Sequence, residues 1–300
     1  MATETEWFKT NNNIFEVTIK TTEYEGRIIN KLIKVGGQKF KECVNITIEY
    51  RNEKPYKAKI PHIQSEPECG FAFTLKEGTT PSMIKAAIQY SQFKFNDVIL
   101  YEFDDGSNID CESTEDKEPP RHLQKPFSLA HLYIALHLKT WYEYHFNAEM
   151  IDKIKFEEYR KAIENLNKKI KETVIDNLEI KSYNNFIDVA SLSTELQINQ
   201  LKKYFNPEIT WTQFFNTIPK KQRCELFFNW LPSFINKLIN KKYSGDDWVI
   251  NYTKMNKIYV EIVNQPRYMG GFTRKNKKRK TISFNNNKLR GGGYIFDGST

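Results

Sequence analysis

The chain has 300 residues, a formal net charge of +8, and 39% hydrophobic residues that include 21 Phe, 16 Tyr and 5 Trp. That hydrophobic share sits slightly below the globular average, yet the aromatic mass suffices to bury a large core. No apolar run approaches the roughly 18 residues of a membrane-spanning helix, so no transmembrane segment and no membrane partner are expected.

The charge is unevenly placed. Nine of the 45 basic residues and one of the 37 acids lie from Gln265 onward, leaving 36 of each before it. The body is therefore neutral, and the positive excess speaks only of a basic terminal segment. The first residues, MATETEWFKTNNN, carry neither a basic n-region nor an apolar h-region, so no secretory signal is expected and the chain reads as intracellular. Cys43, Cys69, Cys111 and Cys224 are far apart with no CxxC pair. Metal-ligand spacing is absent, and four reduced structural thiols are the expectation.

In chain order, Ile14–Lys20 alternates apolar and polar residues and predicts a strand. Ile28–Val35 reads as a short helix or as a strand ending at Gly36-Gly37. Asn45–Tyr50 alternates cleanly, Arg51–Pro55 is turn-like, and Tyr56–Ile63 alternates again up to a break at Pro61. Together with Phe71–Leu75 these predict three consecutive strands, 45–50, 56–60 and 70–75, in an antiparallel meander. A turn at Gly78 then leads into a helix over Pro81–Ser91. Thr79 or Thr80 can cap it, Pro81 suits the first helical position, and Met83, Ile84, Ala87 and Ile88 form one apolar stripe. Val98–Phe103 has the composition of a short buried strand. Asp104–Lys125 is polar and acidic, with Pro119-Pro120, and predicts a long loop. Asp104-Asp105-Gly106, Asn108 and Asp110 are similar to a calcium loop. A glycine at the third position and no glutamate at the twelfth make a turn between strands the better reading.

A second helix is predicted from Ser128, behind Pro126, through Trp141 to an aromatic end at Phe146. Leu129, Leu132, Tyr133, Leu136, Thr140 and Trp141 keep the helical period, and Ile134 and Leu138 widen the apolar face. His131, His137 and His145 share this helix at spacings that do not place two ligands on one face, so no metal site is expected. Further helices are predicted over Lys153–Val174, Ser191–Phe205, Thr210–Ile218 and Lys220–Asn240. Pro207, Pro219 and Pro232 mark ends or kinks, with caps at Ser193-Thr194-Glu195 and Thr210-Trp211-Thr212-Gln213. Trp248–Val263 reads as strand or helix. The expected fold class is α+β, with an α+β domain in 1–150, a mostly helical region in 151–264 and a tail from 265 to 300. Two glycine clusters, a Lys/Arg block and an Asn run make that tail disordered by composition.

A strand that passes through a glycine turn into a helix N-terminus is a common phosphate cradle, because backbone N–H groups and the helix dipole converge there. The element order from Asn45 to Phe146 ends in Trp141-Tyr142-Glu143-Tyr144-His145-Phe146. This resembles the core of the GNAT superfamily of acyl-CoA N-acyltransferases. The resemblance implies a GNAT-like sheet and acetyl-CoA as cofactor, its pyrophosphate held at Gly78, Thr79, Thr80 and Ser82. It also implies Tyr142 as the acid that protonates the leaving thiolate, with Glu68 as candidate base and Glu66 and His62 as alternatives. The plainer readings are a core tyrosine for Tyr142 and a solvated loop for Ser65-Glu66-Pro67-Glu68.

The basic run Arg274, Lys275, Lys277, Lys278, Arg279 and Lys280 reads as a nonspecific nucleic-acid contact, a nuclear-localisation-like address, or a solvated tail. The Asn/Lys/Ile-rich composition, this tail, and Lys139–Glu143 followed by Phe146-Asn147-Ala148 are similar to uncharacterised proteins of giant DNA viruses. An AT-rich cellular genome gives the same composition. A viral origin implies the host cytoplasm or the virion. Two functions stand side by side: an acetyl-CoA-dependent N-acetyltransferase with a degenerate cofactor loop, and a non-enzymatic virion- or genome-associated protein. The second would bind protein partners through helices and nucleic acid through the tail.

Overall fold

A computed structural model describes residues 2–11, 13–37, 42–63, 69, 79–104, 108–109, 127–240 and 247–264. Within them the chain is mixed α/β, with nine α-helices, and it divides into two compact units. One unit runs to Val98 and takes up the chain again from Lys257; the other is Ile99–Asn256. The boundary expected at residue 150 falls inside the second unit.

The first unit is an antiparallel meander of β1 (Ala2–Lys9), β2 (Ile14–Tyr24), β3 (Arg27–Gly36), β4 (Val44–Arg51) and β5 (Lys54–Ile63). Alternation decides which face is buried. Val17 pairs with Val35, Ile19 with Ile33, Ile33 with Ile46 and Ile48 with Ala58, and all of these side chains are buried. The same pattern resolves residues 28–35 as strand, because only the period of two puts Ile33 and Val35 on that face. Helix α1 (Thr79–Lys94) packs on β4 and buries Met83, Ile84, Ala87 and Ile88.

Pro61 does not end β5. Ile60 and Pro61 together oppose Ile46, and Tyr56 is a second extra residue, between the pairs Glu49–Lys57 and Tyr50–Pro55. Pro61 therefore sits in one bulge and Pro55 borders the other, places where a strand tolerates a proline. The strand β1 has no counterpart among the expected elements, since its first residues are polar on both faces and only Phe8 is fully buried.

Two contacts bind the last described residues into this unit. The last strand among the described residues, β13 (Glu261–Val263), pairs with β1. Upstream of it, the Gln89 side chain donates to the Ile258 carbonyl at 2.9 Å and accepts its N–H at 2.7 Å, as a neighbouring strand would. Tyr90 and Lys94 of α1 both reach Glu6 on β1, at 2.8 and 2.5 Å.

The expectation of four reduced thiols is corrected. Cys43 and Cys69 form a disulfide with Cα atoms 5.8 Å apart, Cys224 is also disulfide-bonded, and among the described residues no cysteine is free. The absence of a CxxC pair speaks against metal and redox motifs but is silent on bridges across long loops.

The second unit contains a small antiparallel sheet and most of the helices. In chain order come β6 (Leu100–Asp104), β7 (Asn108–Ile109), β8 (Phe127–Ser128), α2 (Leu129–His137), α3 (Trp141–Phe146), β9 (Glu149–Met150) and α4 (Lys153–Ile163). The hairpin β10 (Val174–Ile175) and β11 (Leu178–Glu179) follows, and then α5 (Tyr183–Ala190), α6 (Glu195–Leu201), α7 (Trp211–Thr217), α8 (Lys220–Phe227), α9 (Leu231–Leu238) and β12 (Asp247–Asn251). β12 lies between β6 and β9, and β7 pairs with β8. Trp248–Val263 thus contributes two separate strands rather than one element.

The long helices expected here are broken. The stretch from Lys153 stops at Ile163 and continues as short 3-10 turns, and the 220–240 stretch splits at Asn229, which has φ 70°. Ser191, with φ 56°, ends α5 where a helix was expected to begin. The expected caps are in place: Thr194 caps α6, and Thr210 with Gln213 forms the capping box of α7. The helices enclose an aromatic core in which Trp211 lies 4.8 Å and Phe186 5.5 Å from Phe234. Its buried indole N–H groups are satisfied, Trp211 by the Thr173 hydroxyl at 2.9 Å and Trp230 by the Leu226 carbonyl at 2.6 Å. Among the described residues no helix is long and apolar enough to cross a membrane.

Candidate functional site

The helix expected to run from Ser128 to Phe146 is two helices. Leu138 adopts the left-handed conformation with φ 56° and closes α2. Thr140 then caps α3: its hydroxyl accepts from the Glu143 N–H at 3.2 Å, while the Glu143 carboxylate accepts from the Thr140 N–H at 2.8 Å. This is a capping box, and its Thr-x-x-Glu signature stands at 140–143 in the sequence. Apolar periodicity carries on across the break, which hides it from a pattern reading.

The reversal brings together rings that a straight helix would spread around its axis. Tyr133 and His137 lie one turn apart on α2, and α3 folds back against them. His137 and Tyr144 have centroids 4.5 Å apart at an interplanar angle of 34°. Tyr133 lies 5.6 Å from Tyr144 and 5.7 Å from His145. The Tyr133 hydroxyl is 3.3 Å from the His145 Nε2. A phenol both donates and accepts, so either imidazole tautomer can make this contact.

The cluster faces solvent. Tyr144 is 49% exposed and His137 is exposed beside it. Burial raises the Tyr133 phenol above its ordinary value, and the neighbouring Tyr144 adds to this. Partial desolvation on the side packed against its neighbours lowers His137, with a further contribution from the positive charge of Arg223. Arg223 is held by donating from Nε to the Ile218 carbonyl at 3.0 Å, and it follows Lys220 and Lys221 on α8. The last turn of α2 is tied to α7 by Asn216, which donates to the Leu136 carbonyl at 2.9 Å.

Beneath the cluster, Glu143 anchors α3 to α4. It is 4% exposed and accepts from the Tyr159 hydroxyl at 2.7 Å and from Arg160 at 3.3 Å. Burial raises its carboxyl above the ordinary range against the opposing pull of these donors, and burial drives the Tyr159 phenol well upward.

The residues singled out from the sequence are distributed differently. Tyr142 is 4% exposed, with its ring 4.0 Å from Phe103, so it belongs to the core of the second unit. Thr79, Thr80 and Ser82 lie in the first turn of α1, in the first unit. Gly78, Glu66, Glu68 and the tail residues Arg274, Lys275, Lys277, Lys278, Arg279 and Lys280 lie outside the described residues, as does the strand expected over 71–75. His62 pairs with Asn45 in the β4–β5 ladder. His131 is buried between the Ser128 hydroxyl at 2.7 Å and the Asn236 side-chain oxygen at 3.2 Å, a structural role. Among the described residues no group of three or more His, Cys, Asp and Glu is placed to hold a metal.

Two phenols and two imidazoles packed edge and face, partly open to water and next to a guanidinium, can stack a flat aromatic group and attract the anion attached to it. Tyr133, His137, Tyr144 and His145 were not selected as a set by sequence reasoning, because their proximity depends on the turn at Leu138. Comparison with known proteins yields no match: no family model, no curated protein and no solved structure is similar to this chain.

Proposed function

We propose that the protein is a non-enzymatic, genome-associated binding protein that stacks unpaired nucleobases on the α2–α3 rings. The observation that carries this reading is Tyr144, half exposed with its ring against His137 at 4.5 Å. Base stacking on such rings is sequence-tolerant, because every base has a π face. Arg223, with Lys220 and Lys221 ahead of it on α8, supplies nearby charge for the backbone. The tail run from Arg274 to Lys280 adds phosphate contacts that need no fixed geometry. Disulfides persist in virions and secreted proteins more readily than in a reducing cytoplasm, so of the two settings implied by the viral resemblance the virion fits better.

The test is binding of a labelled single-stranded oligonucleotide and its duplex at two salt concentrations, with the full chain and with residues 270–290 deleted. The reading expects preference for the single strand, weaker binding at high salt, and a shallower salt dependence without the tail. Equal affinity for strand and duplex contradicts stacking, and an unchanged salt slope removes the tail. Acetyl transfer on a GNAT-like fold, the reading implied by the resemblance, requires binding of acetyl-CoA. Saturable heat on titrating acetyl-CoA supports that reading in place of ours.

A further inference from the structure

The β2–β3 turn at Glu25-Gly26 and the β4–β5 turn at Asn52-Glu53 lie side by side at one end of the meander, because β3 and β4 are antiparallel neighbours. Between them is a cavity of about 480 Å³ whose walls include Tyr24, Tyr50 and Ile29, with Glu25, Glu53 and Arg27 around it. This volume is within the roughly 300–1,000 Å³ typical of small-ligand sites. Tyr24 is 66% and Ile29 45% exposed, so ring and aliphatic surface are presented to solvent without a cover from the described residues.

Glu25 has φ 51° and Glu53 φ 62°, a backbone region that glycine occupies without strain. Both turns nevertheless keep a carboxylate there, and among the described residues neither is engaged in an ion pair. Two-residue hairpin turns require left-handed residues, as at Gly26 and Asn52 beside them, so the turn backbone fixes where the two carboxylates enter the lining.

We propose that this cavity binds an alkylammonium group. The ring faces of Tyr24 and Tyr50 attract the cation, and carboxylates make the attraction specific for positive charge. Ile29 covers the alkyl stem. With Arg27 also in the lining its net charge is −1, which suits a single positive charge and disfavours a divalent metal ion. A lysine side chain on a basic peptide and a free linear amine carry the same chemistry.

Calorimetric or NMR titration of the full chain tests this, with n-butylammonium chloride, n-butanol, sodium butyrate and Nα-acetyl-lysine methylamide as probes. The site predicts saturable binding of butylammonium that weakens with added salt, and at least about tenfold weaker binding of butanol, the uncharged analogue. The double variant Glu25→Gln, Glu53→Gln changes exposed turn positions and keeps side-chain size. It is expected to lose about tenfold in butylammonium affinity with unchanged circular dichroism. Tighter binding of the lysine amide assigns the site to a peptide, and equal binding assigns it to free amines; both support it. Butanol binding as tightly as butylammonium, preferential binding of butyrate, or no saturable ammonium binding overturns it.

Discussion

Glu143 sits where two demands on one carboxylate meet, capping α3 through Thr140 and joining α4 through Tyr159 and Arg160. Burial is the largest influence on it and raises its value in the folded chain above that of the unfolded chain. Such a group binds its proton more tightly when folded, so its contribution to stability is full below the unfolded value. That contribution is lost as pH rises through the raised folded value. Glu42, Glu49 and Glu149 are shifted the other way, mainly by lysine or tyrosine hydrogen bonds, and act at the acid end. They are common to any Glu143 variant and cancel in a difference. Urea unfolding across a pH series is therefore expected to show the wild type losing stability relative to Glu143→Gln as pH rises above the ordinary carboxyl range. A pH-independent difference would contradict this. Removing the other half of the box, Thr140→Ala, is expected to cost about 1 kcal/mol by urea unfolding. At this scale the sequence carried the capping signal but not the facing of adjacent rings. Tyr142 and Tyr144 are two residues apart, about 200° around a helix, so one enters the core as the other leaves it. A motif match selects Tyr142; only the packing identifies Tyr144 as the ring that meets solvent.

Strands were the more legible elements, and the reason is physical. A meander with one buried face writes a period of two into each strand, and Ile14–Lys20 and Asn45–Tyr50 carry it openly. Helix lengths were less legible, because the breaks at Leu138, Ser191 and Asn229 are single left-handed residues inside an unbroken apolar period. None of them is a glycine or proline, the residues that usually announce a stop. The disulfide between Cys43 and Cys69 was equally invisible, since pairing across a sequence separation of 26 depends on where β3, β4 and the chain after β5 bring the two Cα atoms. In a chain-entropy account a bridge of that span is worth about 3.5 kcal/mol. Cys43→Ser is expected to lower unfolding stability by about that amount, and reductant to lower the Tm of the wild type but to lower that of the variant less. Equal sensitivity to reductant would contradict a stabilising role for this bridge.

On the scale of the whole molecule, the first unit is assembled from both ends of the described chain, with β13 on β1 and the Gln89 amide clasping Ile258. Nothing in residues 257–264 names that partner, because an edge strand's pairing is written in its neighbour's register. The second unit joins what read as the end of one domain to most of the next region, which supplies an aromatic core. That arrangement places α7 and α8 beside the last turn of α2, which puts Arg223 next to His137. The proposed function rests on this convergence and on one ring above all. The most direct measurement is fluorescence anisotropy of a labelled single-stranded oligonucleotide with the wild type, Tyr144→Ala and Tyr144→Phe. Stacking predicts that the alanine variant binds about tenfold or more weakly, in line with about 1–3 kcal/mol per stacked base, with an unchanged salt slope and with phenylalanine close to wild type. Equal affinity of all three proteins would contradict the account.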